Sequence, residues 1–556
     1  MGKSKVNAKN AKKTDVWYKV LAIVIGVVLL FGLIVAIMQP TGLMDYVTLH
    51  VQTAMKTEHY SVSNAQFMYL THLTYNNYYQ TYYENYSSYM SSFGLDRSLP
   101  LSQQKYLGSS TTSWLDKCVD EVTSSMTQTL ALCEAARAAG FELKDDDKKT
   151  IDDTIQSLKD FAKKNNYSVT SAIAAMYGSK GITKGDIKGV LEMQILATRY
   201  AEKLTEDYSY TDEQINSYYD ENKLNFIKAD YYSYEVKADY ESGATDEEKE
   251  AAISAAKNKA EELHKKIEDG ADFVTVIMDY KKELAQAELD AAQKAYDDAK
   301  AAETETATDT TTTGTDTTGE TTKSAEETAL DNAKKALEDI TEESVKKEIL
   351  TEAHTTSTTA TKTEAEEWMF ADAPAADGAT KLISSDESAT IYQIVKSAYR
   401  DEYNTITIRE LDMSLDDFTS PEAMKEYAEG IIADFNAGSE KTGDAFDKLA
   451  EKYTTDKITV SSRGQIKETK MSTSTDEKII AVNDWLFSSD RKSGDVKYFE
   501  FTDEGVSIYF YEETGRVAWL VSVDSSMRSA DLEKDIKSFE ETYPVTINEK
   551  AIASIE

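Results

Sequence analysis

Cysteine and histidine are scarce in this sequence, since 556 residues contain two cysteines and five histidines. Cys118 and Cys133 lie on one predicted helix, roughly 22 Å apart at about 1.5 Å per residue, which a disulfide cannot span. We expect two free thiols in the core, with a bridge to another molecule left open. Two thiols cannot hold zinc alone and the histidines lack ligand spacing, so the sequence predicts no metal site and no cofactor.

Basic residues are also in the minority. The chain has 61 lysines and arginines against 99 aspartates and glutamates, a net charge of −38. A field of this sign repels nucleic acid and anionic lipid, so neither is expected as a partner. It favours solubility and would attract cationic polypeptides, although a solvated acidic surface is the simplest interpretation.

One long apolar run stands out near the N-terminus. Residues 17–38 are almost wholly apolar and reach about 33 Å as a helix, enough to cross a bilayer. Residues 1–16 carry five lysines against one aspartate, which predicts that the N-terminus stays in the cytoplasm. A cleaved signal has a shorter apolar region and a small-residue cleavage site. We therefore predict an uncleaved single-pass anchor, with the rest of the chain outside the cytoplasm.

Residues 43–226 have helical patterning almost throughout. Helices are predicted to begin at Ser61 and Ser113 and to cover 145–165, 168–178, 183–208 and 211–226. Two capping-box patterns support them, Thr183 with Asp186 and Thr211 with Gln214. Gly140 is placed where the helix containing Cys133 should end.

From Ala229 onwards a strand-like pattern begins, and the same series of landmarks occurs twice. Each copy has an alternating strand, a helix, a Gly-x-x-Phe block, an acidic-Trp-apolar-Phe block, a glycine and a last apolar strand. The first copy has them at Tyr231–Val236, 246–268, 270–273, 367–370, Gly378 and Ile391–Val395. The second has them at Ile406–Leu411, 421–437, 443–446, 484–487, Gly494 and Val517–Val523. This order predicts a duplicated α+β domain.

The first copy is longer than the second, and the surplus lies in 283–360. Two Ala-rich amphipathic runs, Leu284–Ala302 and Ala325–Leu350, flank a Thr-rich tract, which predicts a helical arm with a disordered tip. The last segment, 526–556, is predicted to be a helix and an apolar tail that packs on the N-terminal helices. The domains are therefore 43–226, 227–400 with its insertion, 401–525 and 526–556.

Several segments in this order carry a resemblance. They are YTDEQINSYYDENKLNF (210–226), the two Gly-x-x-Phe blocks, GDAFDKLAEKYTTD (443–456) and WLFSSDRKSGDV (485–496). After residue 45 nearly the whole chain resembles the extracytoplasmic foldases of the SurA and PrsA type. The resemblance implies an α+β multidomain fold with a mostly helical SurA-like lobe and two parvulin-like domains. It also suggests a Gram-positive envelope.

The resemblance implies a catalytic site that this chain lacks in part. Active parvulins have a histidine on the first strand and another on the last, facing a Cys or Asp. The matching strands here offer Tyr232, Arg409, Tyr392 and Trp519. The third position matches Asp456 in the second copy and Glu283 in the first, while the proline-ring pocket matches Lys478 with Val482, or Thr361 with Ala365. Since prolyl isomerisation needs an apolar ring pocket and fixed hydrogen bonds, we expect degenerate domains.

The tyrosines of one predicted helix give a different candidate site. Tyrosine combines apolar area with a hydrogen-bonding tip, which suits adaptable polypeptide binding, although tyrosines at helical spacing are also common in cores. The predicted client-binding residues are Tyr75, Tyr78, Tyr79, Tyr82, Tyr83 and Tyr86. We predict a membrane-anchored chaperone for unfolded exported polypeptides. An active prolyl isomerase and a structural or receptor ectodomain are the alternatives.

Overall fold

The computed structural model describes Tyr46 and residues 49–306, 323–354, 363–371, 373–474, 476–501 and 505–555. The predicted anchor at 17–38 and residues 307–322 of the Thr-rich tract lie outside these ranges. Within them, no helix is both long enough and apolar enough to cross a membrane. The fold mixes helices and antiparallel sheets, with 59% of residues helical, so the predicted α+β class is confirmed.

The described elements are named in chain order. The helices are α1 (Asn64–Tyr86), α2 (Trp114–Ala138), α3 (Asp145–Lys164), α4 (Val169–Tyr177), α5 (Lys184–Asp207), α6 (Asp212–Glu221), α7 (Asp246–Glu268), α8 (Phe273–Thr306), α9 (Ala325–Glu338), α10 (Glu342–Ile349), α11 (Glu364–Met369), α12 (Pro421–Ala437), α13 (Gly443–Tyr453), α14 (Glu477–Leu486), α15 (Ala518–Thr542) and α16 (Glu549–Ile552). The strands are β1 (Thr53–Lys56), β2 (Ser61–Ser63), β3 (Lys228–Lys237), β4 (Leu350–His354), β5 (Thr380–Ser384), β6 (Ser388–Tyr399), β7 (Asn404–Ser414), β8 (Ser461–Thr469), β9 (Val496–Phe501), β10 (Gly505–Val517) and β11 (Thr546–Ile547).

These elements form two compact units, with boundaries inside α6 and α15. The helical unit consists of the described residues up to 215 together with 523–555. The double-sheet unit consists of the described residues within 216–522.

Local capping signals set the helix starts of the helical unit. Ser63 and Thr183 each form a capping box with the residue three positions later, and Thr211 exchanges hydrogen bonds with Gln214 in the same way. Gly140, with φ of +68°, follows the end of α2, as a helix C-terminus prefers. The predicted helices are confirmed within a few residues, with two corrections: Ser61–Ser63 forms strand β2, so the first helix begins at Asn64, and the helix predicted over 211–226 ends at Glu221. Both predicted capping boxes are confirmed.

The C-terminal tail completes the core of the helical unit. Strand β11 pairs with β1, giving the sheet order β11-β1-β2, and Ile552 and Ile555 lie in the same apolar cluster as α1, α2 and α5. The amide of Asn64, fully buried at the start of α1, donates to the carbonyl of Ala551 at 2.8 Å. The first and last described segments of the chain therefore share one core.

The double-sheet unit contains two sheets of the same design. Their strand orders are β4-β3-β6-β5 and β8-β7-β10-β9, and in both the first and last strands of the copy pair in the centre. Helices α7 and α8 pack on the first sheet, and α12 and α13 on the second. Phe273 and Phe446, from the Gly-x-x-Phe blocks, are both fully buried in these clusters.

The predicted last strand of the second copy is wrong. Val517–Val523 was expected to be a strand, but the strand is β10, and α15 begins at Ala518. Trp519 therefore lies in the first turn of a helix. A short continuous apolar run does not distinguish a strand from a helix, whereas β10 is buried on both faces, as a central strand must be.

The insertion of the first copy is shorter than predicted. Leu284–Ala302 is helical within α8, as expected, but the second run is divided into α9 and α10 and ends in β4. Because β4 is the edge strand of the first sheet, 350–354 belongs to the domain and not to the insertion. Comparing the lengths of the two copies locates a surplus but does not show which residues pair.

We predict that the C-terminal tail stabilises the helical unit. Ile552→Ala and Ile555→Ala should each lower its free energy of unfolding by about 2–4 kcal/mol, since both side chains fill the core. Ile547→Ala, at a side chain 41% exposed in the same tail, should cost less than about 1 kcal/mol. Urea-dependent hydrogen exchange of α2 peptides measures this, and equal effects of all three substitutions would contradict it.

Candidate functional sites

An aromatic cluster surrounds Trp114, the first residue of α2. Its side chain is fully buried, and its indole N–H donates to the carbonyl of Phe93 at 2.9 Å. Four tyrosine rings have centroids 4.9–6.3 Å from Trp114, namely Tyr75, Tyr78, Tyr82 and Tyr106. Trp114 therefore joins the C-terminal half of α1 to the loop of residues 87–113.

A second layer of rings continues this cluster to the surface. Tyr79 stacks with Tyr83 at 6.2 Å, and Phe93 packs against Tyr82 at 4.5 Å and Tyr86 at 5.8 Å. Tyr83, Tyr86 and Tyr89 are 53%, 54% and 62% exposed. We name Tyr79, Tyr82, Tyr83, Tyr86, Tyr89 and Phe93 the aromatic platform.

The six tyrosines singled out by sequence divide between core and surface. Tyr75 is buried, and its hydroxyl donates to Gln104 Oε1 at 2.7 Å, so it supports the cluster from inside. Tyr78 is half-buried and donates to Glu121. Burial raises the pKa of Tyr75 to about 12, and burial with Glu121 raises the pKa of Tyr78. Tyr79, Tyr82, Tyr83 and Tyr86 belong to the platform.

Cations of the chain itself stack on these rings. The guanidinium of Arg97 lies 3.7 Å from the ring centroid of Tyr79, and the ammonium of Lys117 lies 5.7 Å from that of Tyr106. The faces of tyrosine rings attract cations through their quadrupole. The cluster thus has the chemistry to bind guanidinium and ammonium groups as well as apolar ones.

A separate groove of about 700 Å³ opens on the helical unit beside α2, α3 and α5. Its apolar lining comes from Tyr60, Phe141, Leu143, Ile151, Met193 and Leu196. Its charged lining includes Lys188, which pairs with Asp152 at 2.7 Å, and both signs are present. The groove offers apolar contact without a strong preference for charge, so the platform is the more distinctive surface.

The positions suggested by the parvulin resemblance do not form one site. Asp456 is exposed in the turn after α13, whereas Glu283 lies within α8, paired with Lys259 at 3.2 Å. They are not equivalent, because α13 ends at Tyr453 while α8 continues to Thr306. Of the ring-pocket positions, Val482 is buried, Lys478 and Ala365 are half-buried, and Thr361 lies outside the described residues.

Arg409 holds a group of carboxylates on the face of the second sheet that α12 and α13 cover. Its Nε lies 3.1 Å from Glu512, one terminal nitrogen lies 3.1 Å from Asp444, and the other pairs with Asp447. Gly443 lets Arg409 approach α13, since a Cβ at residue 443 would stand 2.0 Å from Arg409 Nε. In the first sheet Tyr232 packs on Phe273 and Tyr392 on Tyr231.

A carboxyl cluster lies on the opposite face of the second sheet and was not predicted from the sequence. Glu410 is 6% exposed and contacts Arg463 at 3.2 Å, while Asp412 accepts from Arg463 Nε and Ser507 Oγ, both at 2.6 Å. Burial, and then Asp412, raise the pKa of Glu410 to about 7. The available signal was three charged residues that interrupt the apolar residues of one buried strand, IRELDM.

The first sheet has a related polar pair. The N–H of Gly378 donates to Ile394 as that of Gly494 donates to Tyr511, which aligns the two sheets. In this alignment Ser233 takes the position of Glu410, and Glu235 takes that of Asp412. Ser388 Oγ donates to Glu235 at 2.6 Å, and Lys237 pairs with it at 3.1 Å. The hydrogen bond from Ser388 lowers the pKa of Glu235. The first copy therefore has a serine, and no carboxyl, at the position of Glu410.

Among the described residues no group of three or more metal-ligating side chains is present. No family model and no curated protein matches this sequence.

We predict that Gly443 is needed because of Arg409. Gly443→Ala should destabilise the protein by about 1–3 kcal/mol in urea unfolding, as its Cβ displaces a guanidinium fixed by three carboxylates. The cost should fall in an Arg409→Ala background, where the space is free. Gly430→Ala is the matched control, since its Cβ meets only a hydroxyl at 4.0 Å and should stabilise α12 by up to about 1 kcal/mol. An equal cost in both backgrounds would refute the link.

Proposed function

We propose that this chain is a membrane-anchored extracytoplasmic chaperone that binds unfolded exported polypeptides on the aromatic platform. The observation that carries the proposal is the exposure of Tyr83, Tyr86 and Tyr89, each more than half accessible, on a cluster fixed from beneath by Trp114. The apolar run at 17–38 would hold the chaperone at the membrane, where exported chains emerge.

The platform suits weak binding of many different segments. Its rings pack on one another, so little side-chain freedom is lost when a client is bound. Each ring offers an apolar face and a hydroxyl, which allows contact with apolar side chains and with peptide groups. Large exposed aromatic patches on soluble domains commonly mark interaction sites.

Charge adds a preference for basic clients. The chain has a net charge of −38, and Arg97 and Lys117 already stack on tyrosines of the cluster. A client arginine could stack in the same way on Tyr83 or Tyr86. We propose that clients carry basic residues next to apolar or aromatic ones.

The remaining parts of the proposal concern the two sheets. Their common strand order, each with two helices on one face, supports two parvulin-like domains beside a SurA-like lobe. Arg409 is neutralised by carboxylates and Tyr232 packs in the first core, so the strand positions matched to a catalytic histidine have structural partners. This favours binding over prolyl isomerisation.

We predict that removing the exposed rings weakens chaperone activity. Tyr83→Ser, Tyr86→Ser and Tyr89→Ser combined should raise the concentration of residues 43–556 needed to suppress aggregation of a denatured client by about tenfold or more. Each ring contributes on the order of 0.5–1.5 kcal/mol to such contacts. Light scattering of the diluted client measures the effect.

Tyr167→Ser is the matched control, because Tyr167 is 40% exposed on the same unit but outside the platform. It should leave suppression unchanged. Equal suppression by the triple variant and the control would overturn the proposed site. Absence of suppression by the unaltered protein with several clients would overturn the chaperone function.

We also predict that the platform distinguishes arginine from a neutral isostere. An apolar peptide with arginines should bind about threefold more tightly per arginine than the same peptide with citrulline, because stacking on exposed rings gives on the order of 0.5–1 kcal/mol. The difference should shrink at high salt. Fluorescence anisotropy measures both affinities, and equal affinities at low salt would exclude a preference for cations.

A further inference from the structure

One turn of the 87–113 loop holds a leucine in a backbone conformation that leucine disfavours. Leu107 has φ of +47° and ψ of +37°, and Gly108, which follows it, has φ of +75°. The N–H of Ser109 donates to the carbonyl of Tyr106 at 2.8 Å and closes the turn. This is the pattern of a type I′ turn, whose two central positions favour asparagine and glycine. The chain has the glycine, but it has leucine at the position that favours asparagine.

Two other described residues besides glycine have a positive φ, and their side chains account for it. Asn166 is of a residue type that tolerates the left-handed conformation. Glu468 is fixed by Arg516 at 2.6 Å. Leu107 has no polar group in its side chain, which is 46% exposed and lies outside the apolar cluster around Trp114. Its conformation therefore costs free energy that burial in this chain offsets only in part.

Hydrogen bonds hold this turn at the edge of the aromatic platform. The N–H of Leu107 donates at 3.2 Å to the carbonyl of Phe93, which also accepts from the indole of Trp114 at 2.9 Å. The N–H of Tyr106 donates to the carbonyl of Thr112 at 3.0 Å. Since Phe93 belongs to the platform, Leu107 continues the platform with an exposed aliphatic side chain.

The chain around Leu107 is uncharged, although the protein as a whole is strongly acidic. Residues 106–115 have the sequence YLGSSTTSWL, without aspartate, glutamate, lysine or arginine. The ammonium of Lys117, which stacks on Tyr106, pairs with Glu121 at 2.7 Å. A charged client group would find no partner in this segment, whereas an aliphatic side chain in contact with Leu107 would remove apolar surface from water.

Given the proposed chaperone function, on which this inference rests, we propose that Leu107 is a specificity-determining residue of the aromatic platform. It contacts an aliphatic side chain of the client, next to the basic residue that stacks on the exposed tyrosines. Preferred clients are therefore unfolded segments with leucine, isoleucine or valine beside arginine or lysine. Asparagine at position 107 would suit the turn but would not bind the aliphatic side chain.

Two labelled peptides test this with the full-length protein in zwitterionic lipid nanodiscs, with empty nanodiscs as the blank. One peptide has arginine beside leucine, and the other has serine in place of the leucine. The unaltered protein should bind the leucine peptide about fivefold more tightly, because a contact that removes on the order of 40 Å² of apolar surface from water has an effect of this size. Fluorescence anisotropy measures both affinities.

Leu107→Asn is the decisive variant, because asparagine favours the turn and lacks the aliphatic side chain. It should lose most of the preference for the leucine peptide and bind the serine peptide as before. Protection of residues 106–109 from hydrogen exchange should stay the same or increase. Leu107→Met should retain the preference. Leu284→Asn is the matched control, since Leu284 is 45% exposed on α8, and it should bind both peptides like the unaltered protein.

The possible outcomes distinguish the role of Leu107 from the chaperone function. Equal affinity of the unaltered protein for both peptides, or a preference that persists in Leu107→Asn, would overturn the role of Leu107 and leave the platform as the client site. Loss of both peptides by Leu107→Asn together with lower protection of residues 106–109 would also overturn it, because Leu107 would then be structural. No binding of either peptide by the unaltered protein would overturn the proposed function, and the role of Leu107 with it.

Discussion

The packing of Trp114 is the interaction on which the candidate binding surface depends. Its buried ring contacts tyrosines from both α1 and the 87–113 loop, and its N–H fixes the backbone at Phe93. Phe93 in turn packs against Tyr82 and Tyr86. Trp114 therefore fixes the positions of these rings through Phe93. A surface of tyrosines becomes a defined platform only with such an anchor.

The two sheets show how one architecture accommodates different chemistry. Both have the same strand order and a fully buried Phe at the start of the second helix, Phe273 or Phe446. In the first, that helix extends to Thr306 and Glu235 is ionised beside Lys237. In the second, the helix is short and Glu410 is buried beside another acid. The two sheets therefore share their core design and differ in their polar residues.

Much of the fold was predictable because its signals are local. Capping residues such as Thr183 and the apolar periodicity of α7 and α12 fix helix bounds within a few residues. The errors arose where pairing between strands that are distant in the sequence determines the structure. Val517–Val523 has the composition of a strand, but β10 occupies that place in the sheet. The carboxyl cluster at Glu410 was not predicted, because the motif comparison concerned Arg409. Successive strand residues point to opposite faces of a sheet, so Glu410 belongs to a different surface.

The measurement that tests the central claim most directly is hydrogen exchange of the protein with and without a permanently unfolded client. Binding on the aromatic platform predicts slower exchange in peptides covering residues 79–93, with no change around Tyr167. Protection confined to the groove beside α2, α3 and α5, or absent from the helical unit, would contradict the account.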